Sequence, residues 1–290
     1  MTVYYHRKTQ EYIEEQEVGG KALHFLYKTA FGRLLLKQLV RPGFSNWKAS
    51  RNNRTASIKK IAPFIEKYQI DLTEATRQEF TSFNDFFTRT LTPSARPINE
   101  NRSAVIAVSD GKVFHYSITE KAEFQIKNSL YTLADLLQDK TAAELFEGGT
   151  CLVYRLAMDD YHRYCYPADG EKLAEKKIKG KLHTIRPIAH QYTKVFSENT
   201  RTWQLLDTKE FGKILYIEIG AMLVGKIHNH GHERFLKGQE KGFFEYGASS
   251  IIVCYQKNQV TIDSDILLQN QNGREVQVRL GEKVGERYVE

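Results

Sequence analysis

Apolar positions change rhythm along this chain near residue 100. Before it, residues 21–40 carry Leu23, Phe25, Leu26, Phe31, Leu34, Leu35, Leu36 and Leu39, with Gly32 as their one helix-weakening residue. Pro42-Gly43 follows, so the pattern predicts a helix with a stop signal. A second helix is expected over about 57–68, interrupted or started near Pro63. A third is expected from about Ser82, where Ser82-Phe83-Asn84-Asp85 suits a capped turn carrying Phe86 and Phe87. Residues 92–97 read as the loop that closes this region.

From Ala104 the apolar residues fall into short β-branched and aromatic runs separated by turn residues. Strands are expected over 104–109, 112–118, 151–158, 214–219, 221–228, 250–256 and 260–263, with short helical inserts over 131–138 and 142–146. The fold class is therefore α+β. A helical N-terminal region, residues 1–100, precedes a mainly antiparallel, β-rich domain, residues 101–290.

The 41% hydrophobic and 27% charged fractions belong to an ordinary folded chain rather than a disordered one. No apolar run nears the roughly 18 residues of a membrane span, and the first residues lack a signal-peptide pattern. Cys151, Cys165 and Cys254 form no Cys-x-x-Cys and read as reduced thiols of a cytosolic compartment.

Charge changes the picture. Between Val18 and Phe64 stand Lys21, Lys28, Arg33, Lys37, Arg41, Lys48, Arg51, Arg54, Lys59 and Lys60, with no Asp or Glu. Basic residues around an apolar stretch suit an anionic membrane surface, where each contributes about 1 kcal/mol. Apolar and polar positions do not separate cleanly on a helical wheel, so part of this stretch is expected to pack against the protein. No nucleic-acid-binding motif accompanies the charge, and nucleic acid is not expected as a partner.

Reactive residues gather where strands end. Ser109-Asp110-Gly111 has the composition of a hairpin turn. Residues 159–167, with Asp159, Asp160, His162 and Cys165, follow a strong strand. Residues 196–201 are polar, and residues 220–225 are small enough for close backbone approach. Ser249 opens an apolar strand just after Gly247-Ala248. Asp110, His162 and Ser249 are the types of a carboxylate–imidazole–hydroxyl relay, in which the carboxylate orients the ring and the ring deprotonates the serine. His228, His230 and His232 alternate as metal ligands on a strand would, but Asn229 and Gly231 mark a turn, and no metal is expected.

Several segments resemble the phosphatidylserine decarboxylases. Phe86-Phe87-Thr88-Arg89 with Ala95-Arg96-Pro97-Ile98 is similar to their Phe-Phe-x-Arg…Ala-Arg-Pro-Ile signature. Asp110-Gly111, Asp160-Tyr161-His162-Arg163, residues 196–201, Val224-Gly225 and the approach to Ser249 also match in order. The resemblance implies a self-processing proenzyme. Ser249 attacks the carbonyl of Ala248, the chain divides into residues 1–248 and 249–290, which stay together as partners, and Ser249 becomes a pyruvoyl group, the only cofactor. That group would decarboxylate phosphatidylserine to phosphatidylethanolamine through a Schiff base, with His162 as proton donor. The resemblance further implies a peripheral enzyme on the cytoplasmic face of the cell membrane, and a homodimer.

Two departures stand out. Cys165 occupies a position that is a second histidine in many relatives, leaving the base role to His162, Cys165 or another histidine. Ala248 replaces the usual glycine before the serine, a cost of about 1–2 kcal/mol if its φ must be positive; Ser250 is the other serine available for cutting. The alternatives are an Asp110–His162–Ser249 hydrolase with an intact chain, which lacks a Gly-x-Ser-x-Gly elbow, and a membrane-binding relative that never cleaves.

Overall fold

The structure, a computed structural model, describes residues 2–15, 20–126, 129–222 and 226–289. The expected Val224-Gly225 match lies outside them. The helical stretch comprises α1 (Gly20–Lys28), α2 (Ala30–Leu39), α3 (Pro42–Asn52), α4 (Ile61–Tyr68) and α5 (Phe83–Phe87). The single helix expected over 21–40 is broken at Thr29, which is extended and whose Oγ1 accepts a hydrogen bond from the Gly32 N–H at 2.9 Å. A side-chain cap starts a new helix there. Pro42 ends one helix and opens the next, since a first-turn proline has no N–H to lose. Ser82 caps α5 as expected, accepting from the Asp85 N–H at 3.1 Å.

The chain does not begin helical. β1 (Thr2–His6) and β2 (Glu11–Glu15) form a hairpin. Beyond the helices follow β3 (Ala104–Ile106), β4 (Gly111–Ser117), β5 (Glu123–Ile126) and β6 (Ser129–Thr132). The helical insert expected over 131–138 is the end of β6 plus α6 (Leu133–Leu137), and α7 (Lys140–Glu144) comes next. The chain continues through β7 (Thr150–Leu156), β8 (Arg163–Cys165), β9 (Gly170–Ile178), β10 (Arg201–Thr208) and β11 (Gly212–Ile219). The last strands are β12 (Ile227–Asn229), β13 (Arg234–Phe235), β14 (Glu240–Phe244), β15 (Ser249–Tyr255), β16 (Val260–Ile262), β17 (Glu275–Val278) and β18 (Lys283–Arg287). Of the strand expected over 221–228, Ile227 and His228 lie in β12, while Ala221 and Met222 lie outside any strand.

A ten-stranded sheet runs β13-β9-β10-β11-β15-β7-β4-β17-β1-β2, antiparallel except where β1 meets β17. Strand β15 lies between β11 and β7 with all its residues buried, which is why it reads as one apolar run rather than an alternation. A second sheet, β12-β14-β8, stands beside it. It is tied to the first by an ion pair between Lys241 of β14 and Glu218 of β11, both fully buried. Cys151 and Cys254, far apart in sequence, face each other across β7 and β15 as free thiols.

The helices are one-sided. Tyr27, Leu36 and Val40 are buried, and the Tyr27 hydroxyl meets His183 Nδ1 at 3.1 Å. Phe25, Phe31, Leu34, Leu35 and Trp47 are exposed. No described helix is long and apolar enough to cross a membrane.

Candidate active site

The site is built at one end of β7. Ser249 pairs with Leu156, the last residue of β7, and Ser250 pairs with both Arg155 and Ile219. The peptide bond before Ser249 therefore lies at the mouth of the sheet, whereas the bond before Ser250 lies between two ladders. This favours Ser249 over Ser250 as a point of chemistry. Both hydroxyls are buried without hydrogen-bond partners.

The link between β14 and β15, residues 245–248, is pinned on several sides. The Tyr246 N–H donates to Asn84 Oδ1 at 3.1 Å, and the Tyr246 ring packs on Phe83 and Phe87, each at 5.1 Å. The Glu245 N–H donates to the Lys226 carbonyl at 3.0 Å. Backbone strain falls on Gly247, at φ 139°, where only glycine is comfortable. Ala248 does not take a positive φ. The replacement of glycine therefore carries no such penalty in this conformation.

His162 follows the turn after β7 and is fully enclosed. Its Nε2 lies 2.8 Å from the Ala157 carbonyl. A carbonyl only accepts, so Nε2 carries the proton of the neutral ring and Nδ1 holds the lone pair. Nδ1 is buried with no partner. The ring packs on Phe87, centroids 4.4 Å apart. Burial pushes the imidazole down to about 4, against the hydrogen bond to Ala157 and the charge of Asp160, so it is neutral near pH 7.

Asp110 does not orient this ring. Its carboxylate takes both sides of the Arg96 guanidinium, at 2.7–3.0 Å, and the Leu280 N–H at 2.9 Å. A half-enclosed guanidinium in bidentate geometry is a stronger partner than a neutral imidazole. Arg96 also donates to Glu74 at 3.0 Å, so this cluster joins the Arg-Pro segment to the Asp-Gly turn. The turn requires its glycine: φ at Gly111 is 142°, and a Cβ there would stand 2.7 Å from the Arg155 carbonyl. The role foreseen for Asp110 passes instead to the Ala157 carbonyl and the Phe87 ring. Asp160 shapes the same turn by accepting from the Ala157 N–H at 2.7 Å and from Lys112 at 3.0 Å.

Cys165 packs with Ile106, Tyr161 and Leu280, and burial raises its thiol to about 12. It is a proton-bearing core residue, unsuited to act as the base. Of the three alternating histidines, the rings of His230 and His232 lie 5.8 Å apart, while His228 and His230 each take a different carboxylate. His228 Nε2 meets Glu245 at 2.8 Å and His230 Nε2 meets Glu240 at 2.6 Å. No cluster suited to a metal occurs among the described residues. Composition did not single out Asn84, Phe87 or Arg96 as functional. Their signal lay only in the Phe-Asn-Asp-Phe-Phe and Ala-Arg-Pro-Ile segments, whose purpose the structure explains as bracing the Ser249 approach and the Asp-Gly turn.

Residues 83–286 match the model of the phosphatidylserine decarboxylase family. The phosphatidylserine decarboxylase proenzyme 2 of Clostridium acetobutylicum is 43% identical over 99% of this chain and 98% of its own. The proenzyme of Ruminiclostridium cellulolyticum is 40% identical over 97% and 96%, and that of Fusobacterium nucleatum 39% over 97% and 96%. On sequence and site together, this chain belongs to the phosphatidylserine decarboxylase family.

Proposed function

We propose that the chain is a self-processing proenzyme that cuts itself before Ser249 and then converts phosphatidylserine to phosphatidylethanolamine. The observation that carries this reading is Ser249 itself. Its hydroxyl is buried and unpartnered at the first residue of β15, opposite Leu156, and the next residue, Ala157, anchors the His162 ring, whose Nδ1 is equally unpartnered. Burying a hydroxyl without a partner is costly, and such groups persist where chemistry uses them.

In the proposed maturation, Nδ1 of His162 takes the Ser249 proton as Oγ attacks the Ala248 carbonyl carbon. The amide between the two residues breaks as an ester forms. Loss of the Ser249 α-proton then expels Ala248 as a carboxylate. Water hydrolyses the resulting dehydroalanine, releasing ammonia and leaving a pyruvoyl end on residues 249–290. The two pieces stay paired because β15 remains between β7 and β11. A pyruvoyl ketone supplies attachment for a substrate amine and a sink for the electron pair left behind by carbon dioxide. The surrounding residues fit such a group: the strand end is enclosed, and His162 is positioned to hold a proton at Nδ1 and return it to product. Release of carbon dioxide from phosphatidylserine in mixed micelles, abolished by phenylhydrazine, tests the reading. Turnover of test esters by an uncut chain would instead favour a hydrolase.

Phe25, Phe31, Leu34, Leu35 and Trp47 stand exposed among Lys21, Lys28, Arg33, Lys37, Lys48 and Arg51. This face is our proposed seat on the cytoplasmic side of the cell membrane, bringing a lipid headgroup to the enzyme. Each large side chain moved into lipid contributes roughly 1.5–3 kcal/mol. Changing both Phe31→Asp and Leu34→Asp is therefore expected to lower flotation with phosphatidylserine-containing vesicles at least tenfold, while the chain still divides. Unchanged flotation would refute this seat.

A further inference from the structure

Arg89 ends the Phe-Phe-x-Arg segment and is 7% exposed, yet its Nε is buried without a hydrogen-bond partner. Among the described residues its side chain makes no ion pair; its guanidinium lies over the Phe86 ring, 5.1 Å from the centroid. The neighbouring arginines differ. Arg96 holds Asp110 and Glu74, and Arg163 holds Glu240. Burial pulls the Arg89 guanidinium below its ordinary value, although the charges of Asp110 and Glu74 act against it from beyond ion-pair distance, as expected of a desolvated cation with no carboxylate in direct contact. An anion brought in from outside would relieve that cost.

Its position says which anion. Arg163 Nε donates to the Arg89 carbonyl at 3.3 Å, and the Leu91 N–H donates to the Tyr161 hydroxyl at 3.3 Å. Residues 89–91 thus run beside 161–163, with His162 between them and its ring on Phe87. Phosphatidylserine carries two anions near its amine, a carboxylate and a phosphodiester. A guanidinium on the carboxylate would stabilise a charge that must disappear as carbon dioxide leaves, and would oppose the reaction. On the phosphodiester the charge is unchanged throughout, and the fork of guanidinium donors suits two phosphate oxygens.

We propose that Arg89 grips the phosphodiester of the substrate headgroup while the headgroup amine reaches the Ser249 end of β15. This rests on the phosphatidylserine reading above. The test compares Arg89→Gln and Arg89→Lys with wild type. Intact mass and labelling by a carbonyl reagent report maturation. KM for phosphatidylserine in mixed micelles is measured alongside inhibition by glycerophosphoethanolamine, which has the phosphodiester but no carboxylate.

The expected result is normal maturation in both variants. For Arg89→Gln, KM should rise at least tenfold with a smaller change in kcat, inhibition by glycerophosphoethanolamine should weaken by a similar factor, and Arg89→Lys should lie between. Unchanged inhibition by glycerophosphoethanolamine overturns the proposal, whether or not KM moves. So does failure of both variants to mature, which would assign Arg89 to the precursor. A wild-type chain that neither divides nor decarboxylates would instead refute the reading on which the proposal rests.

Discussion

His162→Gln should mature roughly 10²–10⁴ times more slowly than wild type, the range that a positioned proton acceptor contributes. Gln nearly fills the space of the ring and its amide donates to the Ala157 carbonyl, so the packing on Phe87 survives while the lone pair of Nδ1 is lost. In wild type the ring is held down to about 4 by burial. The acid limb of maturation should accordingly fall near pH 4, not near the ordinary histidine value of about 6.5. The same depression has a stability signature. Between pH 6.5 and 4 the unfolded chain binds a proton at His162 and the folded chain does not. Stability therefore falls as pH drops through that window, by on the order of 3 kcal/mol in total, and His162→Gln should remove that part of the acid sensitivity. Maturation of the variant at the wild-type rate, followed by gel band intensity over time, would remove His162 from the mechanism.

The second large effect is on stability. Lys241→Met leaves the Glu218 carboxylate fully enclosed with no cation, which is expected to cost about 3–5 kcal/mol. Burial raises Glu218 and lowers Lys241, so each charge depends on the other. Asn229 completes the cluster at 3.2 Å from the ammonium, and the Tyr216 ring lies 4.7 Å from it. Strand β14 is the last strand of the 1–248 piece in the proposed maturation, and this pair fastens it to β11. Urea unfolding of uncut Ser249→Ala protein, with and without Lys241→Met, measures the cost. Adding Glu218→Leu should recover most of it. A loss under 1 kcal/mol for Lys241→Met alone would show that the buried pair is dispensable.

Strands buried on both faces were the most legible elements. β15 and β7 announce themselves as continuous apolar runs because each is covered above and below. β9 was not foreseen: its sequence Gly-Glu-Lys-Leu-Ala-Glu-Lys-Lys-Ile is lysine-rich, as strands near a sheet edge often are. The β1–β2 hairpin escaped notice because its partner, β17, lies some 270 residues further along the chain. Periodicity reports a local face, not a distant neighbour. Thr29 hid the break between α1 and α2 because one cap outweighed the propensity of the whole run.

The candidate site shows the same division. Ser249 was legible from small residues before an apolar strand, and His162 from the density of ionisable groups beyond β7. The partner of Asp110 was not, since choosing Arg96 over His162 depends on which side chain reaches it in space. That Ala248 takes no positive φ in the uncut chain, with Gly247 holding the unusual backbone angle instead, also needed coordinates. Cys165 could be judged only once its apolar neighbours were known.

The central claim is that the chain cuts itself before Ser249, and intact mass of purified wild type beside Ser249→Ala tests it most directly. The account predicts that wild type yields residues 1–248 and a 249–290 fragment whose blocked end has a pyruvoyl mass and reacts with a carbonyl reagent, while Ser249→Ala stays whole. A wild-type chain that remains whole, or a break at any other peptide bond, would contradict it.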